Sequence, residues 1–236
     1  GVLCTAPKAA GFGALLILFN NPLADIHYQW QDIFWLLAVL TMTVGNVTAL
    51  VQSNVKRMLA FSSISHAGFL VMGILVLNVS SISAVLFYLV TYSVINLGSF
   101  AIISSVEREE NGLKFKDYRG LGLRYPWLAA AMTIFMISLA GFPPTAGFVA
   151  KYGLFSAAIA EGYVWLVVIA VLNTLISVYY YLRLVINMYM KEEENALISS
   201  FNIIVIGLIW IMAAMMIILG ITPGFLLEIT AYDSFG

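Results

Sequence analysis

Long apolar runs separated by short polar connections dominate this chain. A helix needs roughly 20 apolar residues to cross the hydrocarbon core of a bilayer. Seven runs reach or approach that length: Val2–Phe19, Ile33–Gln52, Met58–Leu77, Ile82–Val106, Trp127–Ala160, Val164–Met190 and Phe201–Leu219. The pattern predicts an all-α, polytopic membrane protein with about seven transmembrane helices. The first run is short. The fifth is too long for one straight crossing, and Gly141-Phe142-Pro143-Pro144 must break it, because proline has no N–H to give and crowds the preceding turn.

The polar connections orient the spans. Lys and Arg favour cytoplasmic loops. Lys56 and Arg57 stand between the second and third spans, and Arg108, Lys114, Lys116, Arg119 and Arg124 between the fourth and fifth. Lys191 follows the sixth, with Arg183 about two turns before it. The opposite connections, Asn20–Asp32, Asn78–Ser81, Glu161–Tyr163 and the tail after Gly220, hold no Lys or Arg. This alternation predicts a cytoplasmic start for the first span, with the charged loops cytoplasmic. The mixed-sign connection Glu107–Arg124 reads as solvated, with room for a short surface helix, and Glu192-Glu193-Glu194 as a solvated turn. Trp30, Trp35, Trp127 and Trp165 fall near expected interfaces and read as aromatic-belt anchors.

Composition agrees. Of 236 residues 62% are hydrophobic and only 10% charged, against about 25% charged in soluble domains. The single Cys4 excludes an internal disulfide and any cysteine-based metal or iron–sulfur site. The two histidines are far apart and have no metal-ligand spacing, and no phosphate-binding glycine loop is present. No cofactor is expected in this chain. Gly1 is not a start methionine and no basic segment precedes the first run, so the chain reads as a fragment, not as one opening on a signal peptide.

Of eleven basic residues, the one-sided loops leave two unexplained, Lys8 and Lys151. A lysine at the bilayer centre costs about 2.5–3.5 kcal/mol on insertion scales. Lys151 lies seven residues after Pro144 and ten before Glu161, close to mid-membrane. The break should leave carbonyls around Ile137–Ala140 without partners, and in lipid these must be met by neighbours or water. Thr145 is a weak candidate cap for the second half-helix. A desolvated ammonium sits closer in energy to its neutral amine, as a proton relay needs. The alternative is a structural lysine paired with a carboxylate of another subunit. His66, inside Ser62-Ser63-Ile64-Ser65-His66, also suits a relay, or it simply bonds a neighbouring backbone. Asn173, Ser177 and Tyr180 share one helical face. With Ser65 and Asn96 they form either a candidate polar path or ordinary interhelical hydrogen bonding.

Three stretches carry a resemblance. Asn54-Val55-Lys56-Arg57-Met58-Leu59-Ala60-Phe61-Ser62-Ser63-Ile64-Ser65-His66-Ala67-Gly68 resembles the NxKRxLAYSSISHxG signature of the antiporter-like subunits of respiratory complex I, its hydrogenase relatives and Mrp antiporters. Ser138-Leu139-Ala140-Gly141-Phe142-Pro143-Pro144-Thr145-Ala146-Gly147-Phe148-Val149-Ala150-Lys151 resembles the broken twelfth helix of that family. Ile176-Ser177-Val178-Tyr179-Tyr180-Tyr181-Leu182-Arg183 resembles the SxYYYLR segment of the next helix and, with Lys151, is most similar to the N type. The resemblance implies a fold of about fourteen helices with two inverted five-helix repeats, this chain covering helices eight to fourteen. Residues 1–20 would then be the last helix of a first repeat, 33–190 the second repeat with its broken helix 127–160, and 201–219 the final helix. It further implies that Lys8 is the central lysine, His66 the histidine of the axis and Lys151 the outlet lysine, while a Glu–Lys pair belongs to helices upstream. The expected function is proton translocation in an NADH:quinone oxidoreductase of a bacterial inner membrane. NADH, FMN, iron–sulfur clusters and quinone would belong to partner subunits, with other complex I membrane subunits and the lipid bilayer as partners and no nucleic acid. The competing expectations are an Mrp-type cation/proton antiporter subunit, a membrane-bound hydrogenase subunit and a non-transporting scaffold.

Overall fold

The computed structural model describes residues 2–20, 27–107, 113–190, 203–224 and 227, and among them every long element is a helix. In chain order these are α1 (Val2–Asn20), α2 (His27–Leu50), α3 (Val55–Val76), α4 (Val79–Val106), the single turn α5 (Leu121–Arg124), α6 (Pro126–Ala140), α7 (Ala146–Ala160), α8 (Val164–Met190) and α9 (Ile203–Ile221). Five of them, α2, α3, α4, α8 and α9, are long and apolar enough to cross a bilayer by length and composition. The 15-residue halves α6 and α7 rise about 22 Å each, so only together do they make a crossing. The structure starts α2 before Ile33, because Trp30, Gln31 and Asp32 continue the same helix. Arg108, Lys191 and Glu192–Glu194 lie outside the described residues.

Helix ends follow local chemistry. The Asn54 side chain accepts from the Arg57 amide at 3.0 Å and opens α3. Asn78 and Ser81 form a reciprocal capping box at the start of α4, satisfying two otherwise orphaned donors. The 28-residue α4 is the central post, touching α1, α3, α6, α7 and α9. Helices α2 and α3 cross closely because glycines line their seam. A Cβ on Gly45 would stand 2.5 Å from the Ser65 amide nitrogen, and one on Gly68 2.7 Å from that of Met42. Ser65 is thereby part of the α2–α3 seam. On the other side of α2, Ile33, Leu36, Leu37, Leu40, Val44 and Val47 are exposed, which suits a lipid-facing surface.

The polar connections gather at two opposite ends. At one, Val55 N–H donates to the Leu113 carbonyl (2.7 Å) and Phe115 N–H to that of Ser53 (3.3 Å). Arg183 donates to the Gln52 carbonyl at 3.3 Å and lies over the Phe115 ring. The segment after residue 113 is therefore folded onto the bundle, with Phe115, Tyr118 and Leu121 buried, and is not the simply solvated connection that its mixed charges predict. Its apolar positions decide this: the turn Phe115–Tyr118 packs on α8, and α5 on α6 and α8. At the other end Asn78 donates to Glu161 (2.9 Å) and Tyr163 to Gln31 (3.4 Å). Trp127 and Trp165 are exposed, as belt anchors must be. Trp30 is buried instead, edge-on to Phe19 and Phe34 at 4.7 and 5.0 Å, so it ties α1 to α2.

Among the described residues one ion pair stands out, Lys56–Glu107 at 3.1 Å, with side chains 49% and 28% exposed. Exposed pairs contribute about 0–1 kcal/mol. Lys56→Ala should therefore shift the thermal stability of the assembled protein by no more than about 1 kcal/mol, read from its melting midpoint.

Candidate functional site

The break between α6 and α7 is built from a complete accounting of helix-end groups. Gly141, at φ 84° in the left-handed region, ends α6 in the conformation glycine adopts without a Cβ penalty. Its N–H and that of Phe142 reach the Ile137 carbonyl at 3.0 and 3.2 Å, and Gly141 N–H also reaches the Ser138 carbonyl at 3.1 Å. The remaining two end carbonyls, Leu139 and Ala140, accept from Lys151 Nζ at 3.0 and 3.2 Å. All four carbonyls that a helix end leaves free are thus answered. Lys151 is 4% exposed, lies over the Phe69 ring at 5.2 Å, and sits at the negative pole of a half-helix.

Thr145 does not cap α7 with its side chain; its hydroxyl donates back to the Phe142 carbonyl at 2.6 Å. The cap comes from the other half, where Ser138 Oγ accepts from Gly147 N–H at 3.1 Å. The turn after Gly141 brings the start of α7 against Ser138 and leaves Thr145 buried. A Cβ on Gly147 would lie 1.8 Å from the Ser138 carbonyl oxygen. Outside the break, a Cβ on Gly220 of α9 would lie 2.1 Å from the Pro144 carbonyl oxygen.

His66, 4% exposed, is held at both ring nitrogens. Nδ1 lies 2.5 Å from the Tyr88 hydroxyl of α4, and Nε2 3.0 Å from the Tyr181 hydroxyl of α8. The Tyr92 ring packs on it with centroids 4.9 Å apart. Lys8, half-buried on α1, donates to the Ser63 carbonyl and lies 5.0 Å over the Tyr92 ring. His66 and Lys151 line one cavity with Tyr88, Thr91, Tyr92 and Ser138. It has about 10 Å³ of room for a water-sized sphere, which is close to one water molecule. The Thr91 hydroxyl, also buried, has no partner among the described residues.

The structure thus sets both Lys8 and His66 against the Tyr92 ring, and His66 and Lys151 on one cavity, from helices α1, α3 and α7. The other predicted residues do not all join them. Asn96 donates to the Tyr92 carbonyl of its own helix at 2.9 Å. Ser65 belongs to the α2–α3 seam. Asn173, Ser177 and Tyr180 share a buried face as their spacing predicts, and that face bonds to another helix. Asn46 of α2, fully buried, donates to the backbone and side-chain oxygens of Asn173 (3.0 Å each), and Tyr180 donates to Asn46 at 2.8 Å. Ser177 donates to the Thr174 carbonyl at 2.6 Å. Sequence reasoning missed Asn46, Tyr88, Thr91, Tyr92 and the capping role of Ser138. An asparagine in a lipid-length span was a readable signal for Asn46; tyrosines and threonines gave none. No group of three or more His, Cys, Asp or Glu able to hold a metal ion occurs among the described residues.

A sequence model of the NADH:quinone oxidoreductase/Mrp antiporter transmembrane family matches residues 2–177. The chain belongs to this family. NADH-quinone oxidoreductase subunit N of Trichlorobacter lovleyi is 48% identical over 96% of this chain and 47% of its own length. A chain of respiratory complex I from Thermus thermophilus with bound aureothin superposes at TM-score 0.77, with 31% identity, over 85% of this chain and 45% of that one. A chain of the Mrp complex from Dietzia sp. DQ12-45-1b matches at TM-score 0.85 over 94% and 50%, and at 19% identity shows the shared fold alone. The chain spans about half the length of these relatives. Lys8, His66, Lys151 and the helix break all fall within the matched residues.

Proposed function

We propose that this chain moves protons along the line Lys8–His66–Lys151 as a membrane subunit of an NADH:quinone oxidoreductase. The observation that carries the proposal is the setting of Lys151. Its nitrogen is buried, bonded to two half-helix carbonyls, without an ion pair among the described residues, and faces a cavity it shares with His66. Carbonyls at a helix C-terminus favour the cation. Burial without a counter-charge disfavours it. The two effects oppose each other, and a lysine so balanced loads and unloads a proton at modest cost. Among the described residues of this chain no carboxylate pairs with Lys151.

Coulomb repulsion supplies the coupling. Two unit charges several ångströms apart in a protein interior repel by a few kcal/mol at an effective dielectric near 20. A proton arriving on one member of the line therefore raises the cost of holding one on the next. Redox chemistry in partner subunits, using NADH, FMN, iron–sulfur clusters and quinone, drives that arrival. On this reading residues 1–20 close a first repeat, 33–190 form the second repeat, and 201–219 the final helix. The membrane is a bacterial inner membrane, with the end that gathers Lys56, Lys114, Lys116 and Arg183 facing the cytoplasm.

The test is flux in vesicles holding the assembled complex. NADH-driven quinone reduction should acidify one compartment, and inhibiting either process should stop both. Sodium-dependent exchange that proceeds without NADH would replace this proposal with a cation/proton antiporter.

A further inference from the structure

A groove runs between the first turns of α6 and α9, and its lining changes from charged to apolar with depth. Both helices start at the end of the bundle that gathers the basic residues. At the rim stand Arg124, the exposed last residue of α5, and Tyr125. Below them Pro126 and Trp127 open α6. The Trp127 ring meets that of Trp210 on α9 edge-on, with centroids 6.1 Å apart and planes at 73°. Trp210 comes seven residues after Ile203, the first residue of α9, a rise of about 10 Å. Leu128 and Ile206 complete the wall. The groove holds about 600 Å³, within the range of small-ligand sites. Around it Leu123, Ile203, Ile204 and Ile211 are exposed, and in a membrane-spanning chain such side chains face lipid. The charge at this end is one-sided. Among the described residues, positions 56–57 and 114–124 with Arg183 supply seven Lys and Arg, against Glu107 and Asp117.

We propose that this groove binds one anionic phospholipid from the leaflet at the basic end, its phosphate on Arg124 and an acyl chain along Trp127, Leu128, Ile206 and Trp210. A purely apolar ligand would make no use of the guanidinium, and a soluble anion none of the tryptophan walls. A phospholipid uses both, in the order in which the groove presents them. Guanidinium matches phosphate in shape as well as charge, because its planar fork of donors can engage two oxygens at once. Trp and Tyr suit the depth where headgroup gives way to hydrocarbon. The surrounding excess of Lys and Arg draws a headgroup of net negative charge and repels the cation of a choline headgroup. Basic pockets between spans on one face of a membrane hold anionic headgroups on these terms. The site is independent of the proton line, since it needs only that α6 and α9 stand in the bilayer.

The test is photo-crosslinking in the intact complex that contains this subunit. The complex is washed free of its own lipid in detergent and given phosphatidylglycerol with a diazirine midway along one acyl chain. After irradiation and digestion, the label should appear on peptides of both α6 and α9, around Trp127 and Trp210. Unlabelled phosphatidylglycerol should displace it at about one tenth the concentration that phosphatidylcholine requires, the ratio expected for one charge-assisted contact. Inorganic phosphate should not displace it. Equal displacement by phosphatidylcholine would reduce the groove to ordinary lipid-facing surface and overturn the proposal. Displacement by inorganic phosphate overturns it in favour of a free anion. Absence of label from the two helices overturns it as well, because another protein segment then covers the groove. Arg124→Gln should lower labelling about tenfold, with Arg124→Lys in between; labelling of the glutamine variant at the unmodified level overturns the role of Arg124. Should that variant fail to assemble, the competition on the unmodified complex still decides.

Discussion

Replacing Lys151 with alanine should abolish most proton pumping while leaving the complex assembled. The nitrogen that loads and unloads is gone, and loss of a positioned acid–base group typically costs a hundredfold or more in rate. NADH-driven acidification in vesicles is therefore expected to fall roughly a hundredfold. The substitution also strips a donor from the Leu139 and Ala140 carbonyls. A buried acceptor left unpaired costs about 1–3 kcal/mol, so some loss of thermal stability should accompany the loss of flux. Lys151→Arg separates the two effects. Guanidinium keeps the charge and the donors at the end of α6, but it does not deprotonate in proteins. It should restore stability and not pumping. Full pumping by the alanine variant, with an unchanged membrane potential, would remove Lys151 from the proton line.

Gly147→Ala should prevent stable assembly. Alanine ordinarily favours a helix over glycine by about 1 kcal/mol, so propensity alone predicts a gain. The local packing reverses the sign. The added Cβ would stand 1.8 Å from the Ser138 carbonyl oxygen and 2.6 Å from its carbon, and backbone cannot yield as a flexible side chain does. Forcing α7 away from α6 also breaks the Ser138 cap on Gly147 N–H and pulls Lys151 from its two carbonyls. Overpacking of this kind costs about 1–3 kcal/mol or more. Gly207→Ala on α9 is the control, because nothing lies within 4 Å of its Cβ; it should be neutral or slightly stabilising. The measurement is the amount of intact complex recovered and its melting midpoint. An intact, fully stable Gly147→Ala complex would mean that the two half-helices do not meet as closely as described.

The candidate site divides in the same way. Lys8 and Lys151 were legible because a charge in a long apolar run is conspicuous on cost alone. His66 was legible because its titration range suits proton exchange. Asn173, Ser177 and Tyr180 were legible as a shared face, yet their spacing could not distinguish a polar path from bonding to another helix. That choice belonged to Asn46, 127 residues away from Asn173 along the chain. Thr145 illustrates the limit at short range. Its position is that of a cap, but Ser138 takes the role, because the turn at Gly141 brings the start of α7 against the end of α6. Trp30 sat where an interfacial anchor belongs, and the packing of Phe19 and Phe34 buried it.

What the sequence determined by itself is everything governed by a local sum: the spans, the need for a break at Pro143-Pro144, and the gathering of basic loops at one end. Transfer of a segment into lipid depends on its own residues, and a missing proline N–H is missing in any fold. Only the tertiary structure decided who answers whom. It gave the orphaned Leu139 and Ala140 carbonyls to Lys151, closed Tyr88 and Tyr181 around His66, and joined Asn46 to Tyr180. Hydrogen bonds and charge coupling act over a few ångströms, and which residues come that close is set by how the helices pack.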